Sequence, residues 1–271
     1  LCSCAKDEQP PVSIYPIDED VILNDVSYGQ DSKQQMNVYL PKNRNSKSSK
    51  FMVLIHGGAW STGDKDEFGL LDETAFSLLK SQFPDFAFFN LNYRLVEGDN
   101  NTYPAAENDI KLAMEHIYRN LESYQLSAAT YVLGVSAGAH LGALYTLKSN
   151  NSNIKGCIAL AGPYDLVSLY NTSDDFAKSY IKSFMGGTPT QKPALYQEAS
   201  PINFVSSNSP KFFLVHGTED ELVPIAQAET FKAALESKNV STTYLTYAGG
   251  HDYVPTGSLL ETFLRLQIFL K

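Results

Sequence analysis

Apolar and polar residues alternate through DVILNDVSYG (20–29) and QQMNVYLP (34–41), the period of half-buried antiparallel strands. After the polar loop KNRNSKSSK (42–50) the texture changes. FMVLIHG (51–57), FAFFNLNYR (86–94), TYVLGVS (130–136), IKGCIALAG (154–162), KFFLVHG (211–217) and STTYLTYAG (241–249) are short, strongly apolar runs. Such runs suit strands buried on both faces of a parallel sheet. Helix-period segments separate them, at about 67–82, 104–122, 137–148, 224–238 and 256–270. Strands alternating with helices of this length predict an α/β fold of right-handed βαβ units.

One stretch breaks the rhythm. Residues 165–210 hold helix-like pieces, among them DDFAKSYIKSFMGG (174–187), but no strand. An insertion there hangs over the carboxyl ends of the strands, where α/β proteins place their ligands. It is expected to form a small lid or pocket wall. Residues 1–19, with Pro10, Pro11 and Pro16 among charges, read as a linker, and residues 20–271 as one domain without internal repeats.

Composition narrows the functional classes. The 271-residue chain is 43% hydrophobic and 19% charged, ordinary for a globular protein. A net charge of −9 with no basic stripe argues against a nucleic-acid partner. Three cysteines at no metal-ligand spacing support neither a zinc site nor a disulfide framework, and no metal or organic cofactor is implied. Cys157, in an apolar run, reads as an inert core thiol. Leu1-Cys2-Ser3-Cys4, followed by charged and polar residues, resembles the end of a bacterial lipoprotein signal, with Cys4 as the lipidated residue. On that reading the protein is exported and touches a membrane only through its lipid; otherwise it is cytoplasmic.

Gly134-Val135-Ser136-Ala137-Gly138 places a serine on a tight corner between a buried strand and a small-residue helix. In that context the corner either serves packing alone, as a glycine-rich helix entry, or lifts a nucleophile above the sheet and aims a helix amino terminus at it. A serine needs a base, and the chain has five histidines. His116 lies within a helix and reads as a surface residue, and His140, one turn after Ser136, as a structural support. His56 and His216 end strands before glycine, positions near a site but also common for buried structural histidines. His251, in the glycine-flanked loop YAGGHDYVP, is the base the pattern favours. An acid must orient its imidazole. Glu219, Asp220 and Glu221 follow a buried strand, and Asp220 is the preferred member. Consecutive glycines in VLIHGGAW (53–60) offer backbone N–H groups for an oxyanion: Gly57 and Gly58, with the amide of Ala137. Trp60 and Tyr164 are candidate pocket walls.

HGGAW, NYRL, YPAAENDI, GVSAGAHLGAL, HGTEDELVP and GGHDY stand in the order and spacing of the α/β-hydrolase serine esterases. More narrowly, the chain resembles the feruloyl/acetyl-esterase-like and kynurenine-formamidase-like branch related to hormone-sensitive-lipase-type carboxylesterases, over about residues 20–271. The resemblance implies a mostly parallel eight-stranded sheet flanked by helices and matches Ser136, Asp220 and His251 to the triad. It also matches Gly57, Gly58 and Ala137 to the oxyanion donors. Where many relatives have an acid before the serine, this chain has Val135. The expected function is hydrolysis of short-chain acyl or aryl carboxylic esters through an acyl-enzyme, with acetyl or feruloyl groups on carbohydrate as candidate substrates. An arylformamidase or amidase would use the same residues, and a non-catalytic binding protein of this fold is the rival from another class.

Overall fold

The computed structural model describes residues 14–66, 73–251 and 256–271. Cys2 and Cys4, and so the expected lipidation site, lie outside the described residues.

Eight strands form one sheet in the order β1-β2-β4-β3-β5-β6-β7-β8. They are β1 (Val21–Ser27), β2 (Gln35–Leu40), β3 (Phe51–Ile55), β4 (Ala87–Leu91), β5 (Thr130–Val135), β6 (Ile154–Leu160), β7 (Lys211–Gly217) and β8 (Thr242–Tyr247). β2 runs antiparallel to both β1 and β4, and every other pairing is parallel. Burial follows position. β3, β4 and β5 are buried throughout, whereas β2 alternates with a period of two. β8 departs from the sequence reading: it is the sheet edge, and most of its residues are only half-buried. Its Thr-rich sequence suits a strand with one exposed side.

Successive side chains of β3 divide the core in two. Phe51, Val53 and Ile55 join the larger cluster, and Met52 and Leu54 the smaller one on the opposite face. The larger layer holds α2 (Ala105–Arg119), the one-turn α3 (Leu121–Tyr124), α4 (Ala137–Lys148) and α8 (Ala226–Ser237). The smaller layer holds α1 (Glu73–Gln82) and α9 (Thr256–Phe269). The expected helix at 104–122 is interrupted at Asn120, whose backbone leaves helical geometry (φ −107°, ψ 7°). His116, in the last turn of α2, is half-buried rather than a plain surface residue.

Residues 165–210 contain α5 (Leu166–Thr172), α6 (Asp175–Met185), α7 (Pro193–Glu198) and a 3-10 turn at Pro201–Phe204. Asp165 and Asp174 cap α5 and α6 by accepting from Ser168 N and Ala177 N. These helices pack on one another, and the 3-10 turn rests on α4, so the insertion is tied to the helix that follows Ser136. Among the described residues no helix is long and apolar enough to cross a membrane.

Candidate active site

Three strand ends converge. Ser136 stands between β5 and α4 with φ 53° and ψ −120°, a conformation costly for a residue with a Cβ. Two backbone hydrogen bonds hold it there, Ser136 N to Leu160 O (2.8 Å) and His140 N to Ser136 O (3.1 Å). The flanking glycines make the corner sterically feasible. A Cβ on Gly134 would lie 2.2 Å from Gly138 O, and one on Gly138 would lie 2.0 Å from Ile55 O. α4 thus packs backbone to backbone against β3 and β5, and it is buried almost all round.

His251 follows β8. Its Nε2 lies 2.9 Å from Ser136 Oγ and its Nδ1 lies 2.8 Å from Asp220 Oδ2. A carboxylate only accepts, so Nδ1 carries the proton and Nε2 accepts from the serine hydroxyl. Asp220 is the buried member of its acidic run, while Glu219 and Glu221 are exposed. Its Oδ1 accepts from the amides of Leu222 (3.1 Å) and Val223 (2.8 Å). Burial acts to raise the Asp220 carboxyl, but the hydrogen bonds from His216 and His251 outweigh it, helped by attraction to His251 and by the Val223 amide. The carboxyl is therefore held well below the usual carboxylate range and stays ionised beside the imidazole.

His216 is the penultimate residue of β7, four residues before the acid. Its Nε2 lies 2.7 Å from Val223 O and 3.2 Å from Asp220 Oδ2, two acceptors, so that nitrogen carries a proton. His140 is structural in a specific way. Its Nε2 donates to Ala199 O in the insertion (2.7 Å), and its Nδ1 accepts from the Trp60 indole (3.2 Å). Burial lowers its pKa to about 4, which keeps it neutral as both bonds require. Trp60 also stacks on Phe184 of α6, with centroids 4.3 Å apart.

A cavity of about 450 Å³ opens on Ser136 and His251. Gly57, Gly58, Ala59, Trp60 and Ala137 line it beside the serine. Gly57 runs close to the serine: a Cβ on it would lie 3.2 Å from Ser136 Cβ. Ala137 opens α4, and the N–H of a first helical residue has no partner within its own helix. The opposite wall comes from Leu169 of α5, Phe176, Tyr180 and Ile181 of α6, and Leu222 and Val223 beyond Asp220. Among the described residues no cluster of three or more His, Cys, Asp or Glu side chains is placed to hold a metal ion.

Among the described residues the sequence-derived site positions are thus brought together except one. Tyr164 is not a pocket wall. Its ring is fully buried and stacked on Phe231 of α8 at 4.2 Å, and its hydroxyl folds back over Gly162. Pro163, its neighbour, reaches the cavity instead. Sequence reading did not single out His216 as a partner of Asp220, nor the α6 side chains. His216 stands four residues before the acid in HGTED, and the apolar period of α6 was visible, but neither reveals what it faces.

Comparison with known proteins fits this geometry. Esterase LipQ of Mycobacterium tuberculosis is 28% identical over 203 residues, covering 70% of this chain and 47% of LipQ. The chain therefore spans about half the length of that relative. A kynurenine formamidase of Meyerozyma guilliermondii is 26% identical over 247 residues, covering 84% of this chain and 87% of that enzyme. A solved structure described as a truncated form of carbohydrate esterase from gut microbiota superposes with a TM-score of 0.76 at 20% identity, covering 97% of this chain and 100% of that one. At that identity the likeness shows a shared α/β-hydrolase fold. Residues 36–235, from β2 into α8, match the model of the BD-FAE family, and the chain belongs to that family.

Proposed function

We propose that this chain is a serine hydrolase of carboxylic esters in which Ser136 is the nucleophile, His251 the general base and Asp220 the orienting acid. The observation that carries the reading is the continuous relay from Ser136 Oγ through His251 to Asp220 Oδ2, with links of 2.9 and 2.8 Å. As Ser136 Oγ bonds to the ester carbonyl carbon, its proton passes to His251 Nε2, and Asp220 stabilises the resulting imidazolium through Nδ1–H. The carbonyl oxygen becomes an anion facing the amides of Ala137 and of Gly57 or Gly58. Collapse of the intermediate breaks the C–O bond, and the alkoxide leaves with the proton from His251. Water then enters and gives a proton to the same nitrogen as its oxygen bonds to the acyl carbon; the bond from that carbon to Ser136 Oγ breaks, Oγ takes the proton back from His251, and the acid leaves.

The cavity favours a neutral ester with an apolar acyl or aryl group, since Trp60, Leu169, Phe176, Ile181 and Leu222 line it. Residues 165–210 act as its lid. Esters of carbohydrate are the substrate class we favour, supported by the fold shared with a carbohydrate esterase. The formamidase relative supports a second reading, cleavage of an aryl formamide by the same residues. Parallel assays with nitrophenyl acetate, a feruloyl ester and an aryl formamide separate the two. Replacing Ser136 by Ala is expected to abolish hydrolysis, and unchanged turnover of every ester in that variant would refute the mechanism. Lipid attachment at Cys4, with export to the cell envelope, is tested by the mass of the mature amino terminus.

A further inference from the structure

An oxyanion hole built from glycines has a weakness: no side chain of its own fixes the planes of its peptides. Gly58 sits at φ +103°, and Ala59 and Trp60 follow with φ of 49° and 60°, so the loop leaves β3 through three left-handed residues. Its orientation must be imposed from outside.

Tyr93 lies just beyond β4 and is fully buried. Its hydroxyl lies 3.1 Å from His56 O and 3.3 Å from Gly57 O, so one phenol proton is shared by two consecutive carbonyls. Burial pushes that phenol far above its ordinary pKa, so it remains a donor. The His56 ring is stacked on the Tyr93 ring, with centroids 4.4 Å apart and planes 13° from parallel. His56 Nδ1 reaches Gly57 O at 2.7 Å. A carbonyl accepts, so Nδ1 carries the hydrogen and Gly57 O has a second donor.

Both peptides are trans; among the described residues the one cis bond is Tyr103–Pro104. In a trans peptide the N–H points opposite to the C=O. Drawing the His56 carbonyl toward the phenol turns the Gly57 N–H away from it, and drawing the Gly57 carbonyl the same way turns the Gly58 N–H. Gly57 and Gly58 line the cavity together with Ser136, whereas the buried Tyr93 does not reach it.

We infer that Tyr93, assisted by His56, is the positioning residue of the oxyanion hole: its hydroxyl fixes two successive peptide planes so that the Gly57 and Gly58 amides face the carbonyl oxygen before substrate arrives. The inference rests on the assignment of Ser136 as nucleophile. Donors that need no reorientation during the reaction stabilise charge developing in the transition state, and this shows in kcat rather than in KM.

Tyr93→Phe keeps the ring and its stack on His56 and removes only the shared proton. With sites counted by fluorophosphonate labelling of Ser136, kcat on nitrophenyl acetate is expected to fall roughly 10- to 100-fold at nearly constant KM. Affinity for a trifluoromethyl ketone, which forms a tetrahedral adduct on the serine, should fall in proportion. A purely structural role would lower the melting temperature and leave both ratios unchanged. A folded variant with wild-type kcat and inhibitor affinity, or one whose KM rises in place of a fall in kcat, overturns the inference. Should Tyr93→Phe not fold, His56→Phe removes the other donor to Gly57 O, keeps the stack and is judged by the same two ratios. A wild-type chain with neither Ser136 labelling nor ester hydrolysis would refute the hydrolase reading itself, a result distinct from failure of the Tyr93 variant alone.

Discussion

His216 Nε2 lies 3.2 Å from Asp220 Oδ2, the same oxygen that accepts from His251 Nδ1 at 2.8 Å. The carboxylate is therefore supported by a second imidazole that never meets the cavity. His216→Phe keeps much of the volume and removes that donor. Its loss is expected to destabilise the fold by about 1.5–3 kcal/mol, the range for a hydrogen bond to a charged group. Because the folded Asp220 carboxyl is held below its ordinary pKa, its stabilising contribution is present above the unfolded value and is lost as pH falls through the folded one. Raising the folded value in the variant moves acid unfolding to higher pH, which circular dichroism against pH will report.

Asp220→Asn leaves an amide where a carboxylate fixes the His251 tautomer. An Asn that donates toward Nδ1 places the imidazole proton on Nε2, where it faces Ser136 and cannot accept. Turnover of nitrophenyl acetate is expected to fall by roughly three to four orders of magnitude, with the far-ultraviolet spectrum unchanged.

Stability should also respond to two histidines outside the relay. Burial lowers His56 and His140 to about 4 from an ordinary value of 6.5. Between those limits the unfolded chain binds protons that the folded chain refuses, so stability falls as pH decreases. Above the upper limit their contribution is complete, and below the lower one they add no further loss. The slope is up to about 1.4 kcal/mol per pH unit for each histidine. Urea midpoints that stay constant across this window would contradict the neutral assignment of both rings.

Two glycines of α4 should respond differently to alanine. A Cβ on Gly138 would lie 2.0 Å from Ile55 O, a backbone atom that cannot move without opening the sheet. A Cβ on Gly142 would meet first the Val132 side chain, at 2.9 Å. Gly138→Ala is expected to cost about 3 kcal/mol or more, or to prevent folding, and Gly142→Ala considerably less. Equal thermal shifts in the two variants would contradict this account of the corner.

Phe176 is 64% exposed yet lines the cavity, and it meets Tyr180 edge to face at 5.1 Å. Phe176→Ala should change stability by no more than about 0.5 kcal/mol. The same change is expected to raise KM for a feruloyl ester several-fold and to leave that for nitrophenyl acetate nearly unaltered. An equal effect on both esters would remove α6 from the acyl or aryl subsite.

Much of this protein was legible along the chain because its physics is local. Buried parallel strands must be apolar on both faces, so β3 to β7 announce themselves, and a strand-to-helix corner as tight as that at Ser136 needs glycines on either side. The order of serine, acid and histidine, each after a different strand, is the one that the resemblance to α/β-hydrolases implies. Tertiary structure alone decided the rest. The shorter side chain favours Asp220 over Glu219 and Glu221, but only packing buries it and leaves the other two in solvent. Tyr164 and Trp60 are both large aromatic residues near strand ends, yet one stacks on Phe231 in the core and the other is held on the cavity wall by His140. The links from His216 to Asp220 and from Tyr93 to Gly57 join different segments of the chain. Hydrogen bonds of that kind exist only once the sheet has brought the strand ends together, and no pattern along a single segment encodes their geometry.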